Sequence, residues 1–259
     1  MEIADDLEEF FTAECPETES PSNSETYEET NVDDLKALTT KINDEIKKVE
    51  EHVKMHTAQR EEAKKWIEAA QQDEKDDKPM EDRTVTLTMD MSQNGTVPSL
   101  SGDQCGNFYY MSPKTQFIFG ICNNAKRSMN VYIWGEGTAN RGGDNIVSCL
   151  YWDLVMQGII GGTKVKRLVI IADNCGGQNK NFCVLKFCVW LVEAGWAGEV
   201  VLHFFIKGHT KNECDSKFNT LKRGTYGINI FTEKGLDAAY TKDNSDSIDL
   251  THVVPDDDR

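Results

Sequence analysis

Three aspartates stand where three different kinds of segment begin or end. Asp90 closes the alternating run TVTLTMDM, Asp173 stops the apolar run VKRLVIIAD, and Asp215 lies early in the helical pattern NECDSKFNTLKRG. Carboxylates gathered in this number are hard-oxygen ligands. They suit a pair of Mg2+ or Mn2+ ions ~3.5–4 Å apart, which activate a water or hydroxyl and stabilise the oxygen leaving a phosphodiester. The metals would offset the repulsion between the carboxylates. The residues also allow plainer roles. An aspartate after a strand often caps a helix, and D-N-x-G-G is a common turn. Glu213 is an alternative to Asp215 as the third ligand; two residues apart on a helix they point to different faces, so only one can reach a given ion.

The segment after Asp173, NCGGQNKN, is dense in side-chain amides. Asn174, Gln178, Asn179 and Asn181 can hydrogen-bond phosphates or cap the helix that follows, and Gly176–Gly177 permits a tight turn or close backbone approach. The segment lacks the G-x4-G-K-[ST] spacing of a phosphate-binding P-loop. His209, Cys214, Cys175 and Cys183 have spacings H-x4-C and C-x7-C, which match no common structural zinc site. Lys207, Lys211, Lys217, Lys222 and Arg223 cluster after the last strand and along the last helix. They read as contacts to a DNA backbone or as a solvated face.

The charge is unevenly spread. The 259 residues carry a net −16. Residues 1–82 hold 26 acidic against 10 basic side chains, whereas residues 83–236 hold 11 against 16. The mildly basic middle permits a polyanionic partner. None of the eight cysteines forms a CxxC pair, and no secretory or membrane-length apolar run is present, which points to an intracellular, reducing location.

The elements that must position these residues follow from periodicity. Residues 1–31, acidic and poor in apolar side chains, are expected to be disordered. Residues 32–75 carry Leu35, Leu38, Ile42, Ile46, Val49, Val53, Ala63, Trp66 and Ala70 near a three-four repeat. That predicts a long helical arm, which reads as a coiled coil giving a homo-oligomer, as a helix packed on a partner, or as a solvated charged helix with one apolar stripe. TVTLTMDM predicts a strand with Val85, Leu87 and Met89 on one face and Thr84, Thr86, Thr88 and Asp90 on the other. SQNGTVPSLSGDQCG reads as a loop, and TQFIFGICN and MNVYIWGEG as a hairpin. RGGDNIVSCLYWDLVMQGII and NKNFCVLKFCVWLVEAG read as buried helices, with Trp134, Trp152, Trp190 and Trp196 in the core. VKRLVIIAD and EVVLHFFIKG complete the strands, and residues 241–259 form an acidic tail.

The order β-β-β-α-β-α-β-α predicts a mixed five-stranded α/β sheet with helices on both faces over residues 83–240. It is also the order of the ribonuclease H-like fold, in which the first and fourth strands are neighbours and the last helix reaches the same edge. TMDMSQNGTVP, FIFGICN, RGGDNIVSCL, ADNCGGQNKN and KGHTKNECDSKFNTLKR resemble, in the same order, the conserved blocks of a transposon-derived eukaryotic family. That family is largely uncharacterised and carries a ribonuclease H-like DDE/D transposase core. The helical EEHVKMHTAQREEAKKW resembles a helical segment of the same family. The resemblance covers roughly residues 45 to 255, and DNCGGQNKN followed by GHTKNECD is its specific pair.

The resemblance implies that Asp90, Asp173 and Asp215 are the catalytic, metal-holding residues. It implies that Gln93 and His209, with Asn174, Gln178 and Asn179, support them, and that Lys180 joins the basic cluster on DNA. A metal-dependent DNA nuclease or strand-transferase core is therefore expected, in a nuclear setting and with no small-molecule substrate. The alternative is an inactive, domesticated or fragmentary transposase serving as an interaction or oligomerisation module. Two departures bear on that choice. Asp144 is extra within RGGDN, and no DNA-binding module or zinc-finger pattern is recognisable.

Overall fold

A computed structural model describes residues 32–102, 106, 110–206, 212–242 and 247–252. The chain forms two compact units, residues 1–49 and 50–259. A single helix, α1 (Val32–Lys75), opens the described part. The strands are β1 (Thr84–Met91), β2 (Gly95–Val97), β3 (Lys114–Asn123), β4 (Ser128–Gly135), β5 (Val165–Ala172), β6 (Ala197–Phe204) and β7 (Ile248–His252). Between and after them run α2 (Gly143–Met156), α3 (Phe182–Glu193), α4 (Glu213–Arg223) and α5 (Glu233–Lys242).

The strands form one mixed sheet in the order β6-β5-β1-β3-β4-β7. β1, β5 and β6 are parallel, β3 runs against both β1 and β4, and β7 lies parallel to β4. The five long strands thus follow the ribonuclease H-like order anticipated from the sequence. Two further strands were not anticipated. β7 arises within the stretch read as an acidic tail, where IDLTH alternates and finds an open sheet edge beside β4. β2 arises within the stretch read as a loop. It rejoins the ladder with β3 one residue out of step: Met91 faces Phe119, but Gly95 faces Gln116. The extra residue lies between Ser92 and Gly95 and bends the chain after β1.

Alternation in β1 separates the two faces as expected. Val85, Leu87 and Met89 join Leu168, Ile170 and Ala172 of β5 in the main core, under Ile146, Leu150 and Leu154 of α2 and Val184 and Leu191 of α3. The threonine face is covered in two places. α4 and α5 pack Phe218, Leu221, Leu236 and Tyr240 against Ile118, Val131 and Ile133. The second half of α1 lays Ala63, Trp66 and Ile67 on Val169 and Ile171. Polar ties hold α1 there. The Thr86 hydroxyl donates to the Trp66 carbonyl at 3.1 Å, Gln59 accepts from the Ile206 N–H at 3.0 Å, and Asp73 accepts from the Thr84 N–H at 2.8 Å. Arg83 pairs with Glu74 at 2.7 Å, closing the turn from helix to strand.

The outer helices are less buried than their apolar sequences suggest. Trp152 and Trp190 are 49% and 42% exposed, and Phe182 is 78% exposed. α2 and α3 form a single outer layer, so only the stripe facing the sheet is covered. Trp134 alone of the four tryptophans is fully enclosed, with Trp196 partly buried against the core.

One carboxylate does lie in the core. Asp153 of α2 is fully buried and accepts from Asn130 at 2.6 Å, from the Tyr132 hydroxyl at 3.2 Å and from Gln157. Gln157 in turn accepts from Asn123 at 2.8 Å, so the network fastens α2 to the β3–β4 hairpin. Burial pushes the Asp153 carboxyl above the usual range, against the pull of those three donors. A raised folded value means that its contribution is complete below the unfolded value of ~pH 4 and is lost as pH rises through the folded value. The stability of the wild type relative to Asp153→Asn, read from urea unfolding, should therefore fall as pH rises above ~4. A difference that stays flat above that pH contradicts a buried-charge account.

Candidate active site

The sheet register brings the first two aspartates together. Met89 pairs with Ala172 across parallel β1 and β5, so the next residue on each strand is Asp90 and Asp173. Both continue the face that carries Thr86, Thr88, Val169 and Ile171.

The third arrives from above. Gly120 on β3 faces Asp90 across the ladder. A Cβ at position 120 would meet the Phe218 ring at 2.7 Å, so a glycine is needed for α4 to settle this close. Phe218 lies three residues after Asp215 and shares its helix face, so seating the phenyl ring over β3 turns Asp215 toward Asp90.

Asn212 couples these pieces. Its side-chain oxygen accepts from the N–H groups of Cys214 and Asp215 at 2.8 and 3.2 Å, capping α4. Asp215 accepts in return from the Asn212 N–H at 3.0 Å, completing a capping box. The Asn212 amide nitrogen then donates to Asp90 Oδ2 at 3.0 Å. Sequence reasoning missed Asn212, although N-E-C-D before an amphipathic run is a legible capping signal.

Asp90 registers the company it keeps. Burial, with added repulsion from Asp215 and Asp173, pushes its carboxyl up to about 6, against hydrogen bonds from Asn212 and the Met91 N–H. The repulsion from both partners means that the three carboxylates share one locality.

The amide-rich turn after Asp173 divides its tasks. Asn179 donates to Asp173 Oδ1, which also accepts from the Cys175 N–H at 3.3 Å. The Cys175 carbonyl accepts from the N–H groups of Gln178, Asn179 and Lys180 at 3.3, 2.9 and 2.9 Å. Asn181 caps α3 through Cys183 and Val184 at 3.0 and 3.1 Å. A Cβ on Gly143 would lie 2.6 Å from the Asn181 amide, so glycine there admits the cap. The additional Asp144 accepts from the Cys183 thiol at 2.9 Å, tying the starts of α2 and α3 together. Asn179 is 1% exposed, yet its amide oxygen has no hydrogen-bond partner among the described residues, a burial that costs ~1–3 kcal/mol.

The other candidates scatter. Asn174 and Gln93 are exposed, the latter on the bulge after β1, and Gln178 contributes its backbone carbonyl to Asn181 at 2.9 Å. Glu213 accepts from Asn124 at 3.1 Å and lines a cavity of about 320 Å3 with Arg60, Lys64, Thr88 and Asn212. The Lys217 ammonium is directed to the β3–β4 turn, donating to the Arg127 carbonyl at 2.6 Å rather than facing the carboxylates. Lys222 shares the Asp215 face two turns on, about 10.5 Å along the axis. Burial lowers its pKa while the Asp215 charge opposes the shift. Arg223 is exposed and donates to Thr220 at 2.9 Å. The Lys180 ammonium sits 5.7 Å from the Phe204 ring centre. Lys207, His209 and Lys211 lie outside the described residues.

Among the described residues, no three His, Cys, Asp or Glu side chains close around one point as ready ligands for a single ion. Mg2+ needs no such cage, because it is commonly held by one or two carboxylates together with waters and substrate oxygens. Asp90, under the influence of both Asp173 and Asp215, fits a ligand shared between two such positions.

A mixed sheet in this order, with carboxylates ending its first and fourth long strands and a third on the helix after the fifth, defines a ribonuclease H-like α/β protein. The chain belongs to the family described as Domain of unknown function (DUF7869), which residues 112–254 match, more than half of its length. No curated protein matches the sequence. Among solved structures it is similar to a chain in the crystal structure of the Mos1 strand transfer complex, at 13% identity and a TM-score of 0.36. The match covers 72% of this chain and 55% of that one, so the chain spans little more than half the length of that protein.

Replacing Asn212 by Ala removes the α4 cap and the Asp90 contact together. A loss of ~1–2 kcal/mol is expected in urea unfolding. Asn212→Asp, which can still cap the helix but sets a fourth carboxylate beside Asp90, should lose stability mainly above about pH 5. Identical pH dependence of the two variants contradicts the coupling described here.

Proposed function

We propose that the chain is a transposase-derived, metal-dependent DNA nuclease or strand-transferase core. The observation that carries this reading is the β1–β5 register that sets Asp90 beside Asp173, with Asp215 joined to Asp90 through Asn212. Asp90, Asp173 and Asp215 would hold Mg2+ or Mn2+, which would activate a water or a 3′ hydroxyl of the DNA and neutralise charge on the leaving oxygen. Asn179 and Asn212 orient Asp173 and Asp90 through the bonds already described. Lys222, on the Asp215 face, and Lys180, beside the Asp173 turn, are placed to meet backbone phosphates. Asp215 is favoured over Glu213, because Asn212 joins Asp215 to Asp90 whereas Glu213 accepts from Asn124.

The test is nicking of a labelled DNA duplex in Mn2+ by the full chain. Asp90→Asn, Asp173→Asn and Asp215→Asn should each lower the rate by at least ~10^3, of the order expected when charge stabilisation is removed. Glu213→Gln should stay within a few-fold. Equal sensitivity at Glu213 and Asp215, or no metal-dependent nicking by a folded wild type, overturns the assignment.

A specific observation favours a second role for α1. Leu38, Ile42, Ile46, Val49 and Val53 are all at least half exposed on one helix. An apolar stripe of this length suits self-association through residues 32–75. Ile42→Asp with Ile46→Asp in the full chain should convert a dimer or larger species to monomer in sedimentation velocity. A wild type that is already monomeric at tens of micromolar removes this role.

A further inference from the structure

On the α3 face of the sheet, opposite the face that carries the carboxylates, lies a cavity of about 490 Å3, lined by Asn179, Lys180, Asn181, Phe182, Leu185, Leu202 and Phe204. It shares no residue with the lining of the Glu213 cavity. Its link to the site is Asn179, which lines it and donates to Asp173. Three features of the lining are unspent. Phe182, in the first turn of α3, is 78% exposed although it is the largest apolar side chain of that turn. The Lys180 ammonium lies 5.7 Å from the Phe204 ring centre, leaving a positive charge over an aromatic face. The Asn179 amide oxygen is buried with no partner among the described residues.

We infer that this cavity receives one unstacked base of a DNA strand, held against Phe182 and Phe204, with Lys180 on the adjoining phosphate. A nucleotide offers what the lining lacks: a flat apolar face, hydrogen-bond donors at its edge, and a neighbouring anion. An aliphatic side chain from a protein partner would fill the apolar volume but leave the lysine and the amide oxygen unmatched. A base inside a duplex cannot enter, so the strand must be unpaired where it passes Asp173. Stacking on exposed aromatic rings is the usual means by which proteins hold unpaired strands without reading their sequence. The link to cleavage rests on the function proposed above, but binding in the cavity can be read without any cleavage.

The experiment is fluorescence anisotropy of a labelled 15-nucleotide oligo(dA) with the full chain in EDTA. Wild type should bind, and Phe182→Ala should weaken binding by about 5- to 150-fold, the range for loss of one stacked base. Because Phe182 is largely exposed, that variant should unfold at the wild-type urea concentration. Phe182→Trp should restore affinity, since it returns an aromatic face. Lys180→Ala should lower the slope of log affinity against log salt by about 0.7. A blunt duplex of the same length should show no dependence on Phe182. The inference falls if oligo(dA) does not bind, if Phe182→Ala binds as the wild type does, or if that substitution alters only the oligomeric state. The carboxylate reading stands apart. Asp173→Asn should bind oligo(dA) at least as tightly as wild type while losing nicking. Undiminished nicking by Asp173→Asn together with a Phe182 effect on oligo(dA) would overturn the catalytic assignment and leave the cavity assignment in place.

Discussion

Like charges crowded at one edge of a sheet are the constraint to which this structure answers. Asp90 is partly buried and sits in the field of both Asp173 and Asp215, so its ionised form is disfavoured on two counts. Left alone, the carboxylates would swing apart into water. Two asparagines prevent this. Asn212 holds Asp90, Asn179 holds Asp173, and each is itself fixed within a turn or cap. The amides give oxygens of Asp90 and Asp173 fixed hydrogen-bond donors.

Holding the amides in place requires the rest of the fold. The β1–β5 register sets Asp90 beside Asp173, and the bulge after β1 turns the chain away immediately afterwards. α4 must descend close to β3, which it does over Gly120 through Phe218. α1 straps the remaining part of the same face with Ala63, Trp66 and Ile67. The Asp153 network ties the β3–β4 hairpin to α2. Protein interiors are close-packed and barely compressible, so this bracing holds the strands in place.

The surfaces carry a division of labour. Negative charge is concentrated before residue 83 and near the end of the chain, away from the sequence that builds the site. The segment between is mildly basic. Exposed apolar side chains fall in two groups, one along α1 and one across the outer layer of α2 and α3. A surface with this much exposed apolar area is typical of a protein that works in contact with others or with an extended ligand.

Much of the architecture was legible in the sequence because it rests on local periodicity. The alternation of β1, the continuous apolar run of β5 and the length of α1 follow from spacing alone. Asp90 and Asp173 announce themselves by ending strands that then prove to be neighbours. What sequence could not decide was set by distance in space. IDLTH is a strand only because the edge of β4 is free to accept it, and GTV only because β3 continues past the bulge. The exposure of Trp152 and Trp190 depends on how many layers stand outside α2 and α3, which no periodicity records. Most of all, the rotation of α4 is set in space: the Phe218 ring reaches over Gly120, and that contact turns the helix about its axis, which no local pattern in the sequence records.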